Sequence, residues 1–259
     1  TGRRPGRRGK VDLMARVSVI IPCYNGAQYL PDALNSALAQ TYDDYELIVV
    51  DDGSTDATEA LARQYVERHP AKIRYIRQEN QGLALARNTA IAHASGDLLA
   101  LLDCDDLWMP ERLAEGVSLM DRRPEVGLVH ANIVRVDDAK RPIDVPERQA
   151  QYLSGWIFEH LYTRRAHVAC PTALFRRECV ERVGAFDPQL TRLGCEDREL
   201  WQRIARRYEV AYIPRELAYY RVSAGSMSRN LDKMLQARLY VIEKHAPGTP
   251  RRLRRRALA

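Results

Sequence analysis

Four short apolar runs, each followed by a helical pattern, fill residues 16–106, and this alternation constrains the fold more than any other feature. "RVSVIIP" (16–22) reads as a buried, β-branched strand closed by a proline. "AQYLPDALNSALAQT" follows, with Leu30, Leu34, Ala37 and Leu38 on one helical face and Pro31 suited to a first turn. "YELIVVDDGS" is a second strand, and Asp56 with Glu59 opens "DATEALARQYVERH" as a capped helix. "KIRYIRQ", the small-residue helix "GLALARNTAIAHAS" and "GDLLALLD" complete the series. The pattern predicts a parallel sheet with helices on both faces. Ligands bind such sheets outside the carboxyl ends of the strands, so "PCYN", "DDGS" and "DCDD" are the places to inspect.

Beyond Pro110 the pattern loosens. A helix at "PERLAEGVSLMDRR" and a long strand at "VGLVHANIVRV" precede an exposed loop or hairpin at "DDAKRPIDVPERQAQ". An aromatic-rich helix is expected around Trp156, then a strand at "PTALFRR" and a helix at "EDRELWQRIARRY". Two short strands, "VAYIP" and "LAYYRV", finish the compact part, and "RNLDKMLQARLYVIEKH" makes a final amphipathic helix.

Charge excludes one class of partner. The chain carries a net +6, yet its first ten and last nine residues hold ten positive charges and no acid. The body between them is therefore at −4, which argues against a basic groove for nucleic acid. The Arg-rich ends read as solvated, disordered tails, with attraction to an anionic membrane as the alternative. No apolar run approaches the ~20 residues that span a bilayer, and no secretory signal is visible. Five cysteines without a C-x-x-C pair suit reduced thiols. A cytoplasmic location, peripheral on the inner face of the membrane if the basic ends dock there, is the expectation.

The acidic stretch "LALLDCDDLW" is where chemistry is expected. Two carboxylates about 4 Å apart repel by roughly 4 kcal/mol at an effective dielectric near 20, a cost that a cation between them removes. Asp103 and Asp105, at i, i+2, suit a hard cation such as Mg²⁺ or Mn²⁺. The bland alternative has Asp106 capping the next turn and its neighbours in water. Asp52 in "VVDDGS" could accept from a base edge or a ribose hydroxyl, or simply make an Asp-Gly turn. Tyr24 could stack on a base or pack plainly. Arg87 could reach a phosphate with its planar fork or pair with an aspartate. Glu196 and Asp197 open a helix, where acids are favoured by about 0.3–1 kcal/mol, or supply a general base. His93 and His130 sit in apolar surroundings and read as core residues.

Taken in order, "PCYN", "VVDDGSTD", "QGLALARNTAIAHASGDLLALLDCDD" and "ED" about 90 residues later resemble the inverting family 2 glycosyltransferases of the GT-A fold, over roughly residues 16–228. The resemblance implies an α/β fold: a Rossmann-like single compact domain with a mostly parallel central sheet flanked by helices. It implies a basic tail at 1–15, a donor half at 16–106, an acceptor and catalytic half at 107–228, and a C-terminal helix with Arg-rich tail at 229–259. By position, Tyr24 would stack on the base of a nucleotide-sugar donor, a UDP-sugar above all, and Asp52 would bond the base edge. Pro22, Asn25 and Arg87 would line the same pocket. Asp103 and Asp105 would hold a divalent metal (Mn²⁺ or Mg²⁺) on the diphosphate, with Asp106 touching the sugar or the metal's waters. Asp197 would be the catalytic base, Glu196 would orient the acceptor or the donor sugar, Trp201 would either stack on an acceptor sugar ring or pack in the core, and inversion would follow from a single displacement. Polysaccharide or glycoconjugate synthesis is the implied setting.

One departure is Ser223, where the family often carries a histidine that approaches the metal. Arg141, Arg148, Arg164, Arg165 and His167 suit a phosphate-bearing acceptor such as a lipid-linked diphosphate sugar, beside the general expectation of a hydroxyl-bearing saccharide. The C-terminal helix suits docking on a membrane or on a second copy as a homodimer. The rival readings are a non-catalytic nucleotide-sugar or glycan-binding module, which would lack the base or the D-x-D pair; a nucleotidyltransferase, which would need a cationic phosphate loop after the first strand; and a dehydrogenase, which would need G-x-G-x-x-G.

Overall fold

The computed structural model describes residues 15–144, 151–223 and 230–259. The expected alternation is present as β1 (Val17–Cys23), α1 (Leu30–Leu38), β2 (Tyr45–Asp51), α2 (Thr58–Arg68), β3 (Ile73–Arg77), α3 (Leu83–His93) and β4 (Leu98–Leu101). After it come β5 (Leu107–Trp108), α4 (Arg112–Arg122), β6 (Val126–Val136), α5 (Phe158–Tyr162), β7 (Leu174–Arg176), α6 (Arg177–Val183), α7 (Glu196–Ala205), β8 (Glu209–Arg221), α8 (Leu231–Lys244) and α9 (Arg251–Leu258). The strands form one sheet in the order β3-β2-β1-β4-β7-β6-β8-β5.

The first half is parallel throughout, with β1 between β2 and β4 and β3 outside β2. All seven residues of β1 are buried, as expected for a strand covered on both faces. Its alternation divides the core: Val17, Val19 and Ile21 pack with Leu30, Ala33 and Leu34 of α1. Ile20 faces the other way, into the cluster holding Ala84, Ala86 and Ala90 of α3. Burying each such valine or leucine contributes about 1.5–3 kcal/mol. The second half mixes directions, because β7 runs antiparallel to both β4 and β6 while β6 and β8 are parallel. The sheet is mostly parallel and lies within an α/β fold.

Several local expectations are corrected. The two short strands at 210–222 are one strand, β8, whose register against β6 jumps from Ile213 opposite Ala131 to Glu216 opposite Asn132. Pro214, which has no N–H for the ladder, sits in that bulge. The aromatic helix starts at Phe158, after an exposed Trp156. Asp56 is not the N-cap of α2, which starts at Thr58; its carboxylate accepts from the amides of Thr58 and Ala27 and ties α2 to the β1–α1 loop. His93 is exposed rather than core, whereas His130 is buried with Nε2 3.0 Å from the Leu153 carbonyl. The start of the expected loop after β6 turns back tightly, with Val136 bridging Pro142; residues 145–150 lie outside the described residues, as do 1–14. The C-terminal arginines do not form a solvated tail: they lie on α9, whose Leu253 and Ala257 pack with Tyr162 and Ile242.

A buried charge cluster locks α8 to the body. Glu199 of α7 is fully buried and faces Arg203 at 2.6 Å, Lys244 at 2.9 Å and His245 at 3.3 Å. Burial alone would raise its carboxyl, but the polar contacts of His245, Arg203 and Lys244, with the charge of Arg203, pull it down to about 2. A depressed carboxyl contributes stability that is complete above its unfolded value near 4.5 and is lost as pH falls toward 2. Glu199→Gln is therefore expected to remove roughly 3 kcal/mol of acid-sensitive stability. Urea unfolding of both proteins from pH 7 to pH 3 checks this; equal acid losses in the two would refute it.

Candidate active site

A pocket of about 890 Å³ opens at the carboxyl ends of the parallel strands. Three strand ends converge there: Pro22 to Gly26 at the end of β1, Asp52 after β2, and Asp103 to Asp105 after β4. The second half of the chain supplies Ile133 and Arg135 from β6, and Glu196, Asp197 and Arg198 from the first turn of α7.

The first turn of α7 reaches the pocket through a constrained approach. Gly194 (φ 90°) and Cys195 (φ 62°) are both left-handed, immediately before Glu196. A non-glycine residue in that region costs on the order of 1 kcal/mol or more, which the packed first turn of α7 offsets. Asn25 (φ 50°) makes a similar bend after β1. It is held by Ser54 Oγ, which accepts from its amide at 2.9 Å, and by the Thr55 amide, which donates to its Oδ1 at 2.8 Å. Gly26 follows because no side chain fits: a Cβ there would lie 2.4 Å from Cys23 Sγ and 2.9 Å from Cys104 Sγ.

Arg87 organises the floor. It is 1% exposed, and its guanidinium pairs with Asp103 Oδ1 at 2.6 Å and Glu196 Oε1 at 2.5 Å. One cation thus joins α3, the end of β4 and the start of α7. Its role is to hold two acids, rather than to offer an open fork to a phosphate. Burial drives the Glu196 carboxyl up against the pull of Arg87, and the charge of Asp197 adds to it, reaching about 7. Burial, then the charge of Asp103, pushes Asp105 up to about 6.

Most residues expected at the site meet in this one pocket: Pro22, Tyr24, Asn25, Asp52, Arg87, Asp103, Asp105, Glu196 and Asp197. Tyr24 is 53% exposed, with its ring available at the rim. Asp52 lines the pocket too, but its carboxylate already accepts from Gln78 Nε2 at 2.7 Å, the Gln81 amide at 2.9 Å and the Gly82 amide at 2.7 Å. Three of its roughly four acceptor positions thus hold the 78–82 loop, which leaves one for a donor such as a base N–H.

Two of the named residues do not reach the site. Asp106 does not line the pocket; it is buried behind it and accepts from the Arg221 amide at 2.9 Å. Burial, then the charges of Asp105 and Asp103, pushes its carboxyl up. Trp201 is 0% exposed and packs edge-on to Phe175 with centroids 5.4 Å apart, so it cannot meet an acceptor. Of the basic residues expected at the acceptor side, His167 lines the pocket, and burial followed by the charges of Arg198, His130 and Arg135 pushes it down to about 3. Arg141, Arg164 and Arg165 do not line it, and Arg148 lies outside the described residues. Arg135, Arg192, Arg198 and Lys233 do, and the sequence reading missed them. Only Arg198, next to the acidic pair, carried a local signal.

Among the described residues no three His, Cys, Asp or Glu side chains form a metal cage. Asp103 and Asp105 nonetheless fit a small hard cation, which needs only one or two carboxylates and takes water and phosphate oxygens for the rest. Burial first, and the charge of Asp103 second, raise the Asp105 carboxyl, and a cation beside it would offset both. Ser223 lines the same pocket. The described residues hold no helix long and apolar enough to cross a membrane.

The family model described as glycosyl transferase family 2 matches residues 18–184. An uncharacterized glycosyltransferase of Nostoc sp. is 37% identical over 214 residues, 82% of this chain and 66% of that protein. Glycosyltransferase GlyA of Streptococcus pneumoniae is 31% identical over 225 residues, 83% of this chain and 32% of that protein. Among solved structures, mannosyltransferase PcManGT from Pyrobaculum calidifontis, in complex with GDP-Man and Mn²⁺, has a TM-score of 0.70 and 26% identity over 92% of this chain and 66% of that one. S. aureus TarS 1-349 in complex with UDP-GlcNAc has a TM-score of 0.70 and 21% identity over 88% of this chain and 65% of that one. The chain thus spans from about a third to just under two thirds of these proteins' lengths.

Proposed function

Since the chain belongs to glycosyl transferase family 2, we propose that it moves a sugar from a nucleoside diphosphate sugar to a hydroxyl acceptor with inversion at the anomeric carbon. The observation that carries this reading is the convergence of Asp103, Asp105 and Asp197 on one pocket at the carboxyl ends of the strands. Residues 16–106 form the donor half, where Tyr24 stacks on the base, Pro22 and Asn25 shape its seat, and Asp52 and Arg87 hold the walls. Asp103 and Asp105 hold the divalent metal, Mn²⁺ or Mg²⁺. When bound, it neutralises charge on the departing diphosphate. Asp197 takes the acceptor hydroxyl proton, and Glu196 orients the sugars. Residues 107–228 receive the acceptor, and Arg135, Arg198 and Lys233 suit one that bears phosphate, such as a lipid-linked diphosphate sugar. The nucleotide sugars bound by the structural neighbours support the donor class, with UDP the first candidate. Cell-surface polysaccharide or glycoconjugate synthesis suits such an acceptor.

The test is release of nucleoside diphosphate from UDP-sugars with Mn²⁺ or Mg²⁺. Wild type should turn over only with metal. Asp105→Asn should raise the half-saturating metal concentration on the order of 100-fold. Turnover unaffected by chelator would sink the metal assignment. A folded protein that binds nucleotide sugar without any turnover would support a binding module instead.

A further inference from the structure

We propose that the outer face of α8 and α9 docks the protein on the anionic surface of a lipid bilayer. Leu231, Leu235 and Leu239 are 73%, 53% and 43% exposed. Their spacing of four places them along one side of α8, while Ala237 and Val241 on another side are buried with Leu190. Beside this apolar stripe lies α9. Arg238, the residue before Leu239, donates to the carbonyl of Ala257, the residue before the half-exposed Leu258. Leu253 and Ala257 point α9 inward, which leaves Arg251, Arg252, Arg255 and Arg256 exposed, and α9 contains no acid.

Charge selects the occupant. Exposed leucines beside a dense row of arginines match a surface that is anionic outside and apolar just beneath. A nucleic acid would use the arginines and leave the leucines in water. A two-fold contact with a second copy would bring the arginine row of α9 near its own image. Lys233 and Met234, in the first turn of α8, line the pocket already described. Docking through α8 therefore sets the pocket mouth at the lipid surface, where a lipid-borne acceptor would arrive. That consequence rests on the transferase reading; docking itself does not, and it is tested without turnover.

The experiment is flotation of the full chain with phosphatidylcholine vesicles and with vesicles of phosphatidylcholine mixed with phosphatidylglycerol, at low and at physiological salt. Binding is expected to the anionic vesicles only, and to weaken with salt. Arg252→Gln/Arg255→Gln/Arg256→Gln should weaken it about 100-fold, and Leu235→Gln/Leu239→Gln should weaken it while circular dichroism stays unchanged, since both leucines face out. Equal binding to neutral and anionic vesicles, or none to either, overturns the proposal. So does concentration-dependent dimerisation in sedimentation that the leucine variant abolishes, in a protein that does not float.

Discussion

Asp197→Asn is expected to lower kcat by about 10²–10⁴-fold, the usual contribution of a positioned general base, while leaving folding stability and donor affinity near wild type. Asp197 stands in the first turn of α7, and its Oδ1 accepts the Arg198 amide at 2.7 Å. An asparagine retains that carbonyl acceptor and loses only the charge and the basicity. The lost interaction of a first-turn carboxylate with the helix dipole amounts to about 0.3–1 kcal/mol. Initial rates of sugar transfer at saturating donor, together with calorimetric titration of donor and Mn²⁺, separate the two effects. A variant that transfers at the wild-type rate would remove Asp197 from its role. One that binds donor far more weakly would move Asp197 from proton transfer to donor binding.

Arg87→Met carries the largest expected loss of stability, about 3–5 kcal/mol, the usual cost of removing one partner from a buried ion pair. Two acids depend on it, Asp103 at 2.6 Å and Glu196 at 2.5 Å. The loss should depend on pH in a definite direction. Glu196 already has its carboxyl raised above the ordinary 4.5, to about 7, and without Arg87 it rises further. A raised carboxyl takes up a proton on folding, so its penalty is absent below about pH 4.5 and grows as pH rises through the window. The variant should therefore be closest to wild type near pH 5 and fall furthest behind at pH 8. Adding Glu196→Gln should recover part of the loss at pH 8, because a neutral amide does not need the cation. Urea unfolding of the single and double variants at both pH values checks this. A loss independent of pH would show that Arg87 acts through packing, including its contact with the Phe186 ring at 5.3 Å, rather than through charge.

The elements of the donor half were legible because their signals are local. β1 to β4 appear as runs of β-branched and aliphatic residues, and α1 places Leu30, Ala33, Leu34 and Ala37 at helical spacing with Pro31 in the first turn. The strand-end rule then points to Pro22, Tyr24, Asp52, Asp103 and Asp105. Local signals failed where a proline bulge joins two apparent strands into β8, and where Leu253 and Ala257 turn an arginine-rich end into a packed helix.

The sequence by itself determined the parallel sheet, the place of the site at its carboxyl edge and the acids gathered there, because strand and helix periods and turn chemistry act over a few residues. Only the tertiary structure decided what each acid does. Adjacent Asp105 and Asp106 point apart, one to the pocket and one to the amide of Arg221, 115 residues on. Arg87 is committed to Glu196, 109 residues away, and Trp201 shares the first turns of α7 with Asp197 yet faces the core. Periodicity tells which residues share a face, but the partner that face meets is set by packing between segments distant in the chain. A buried charge goes wherever that packing supplies its opposite.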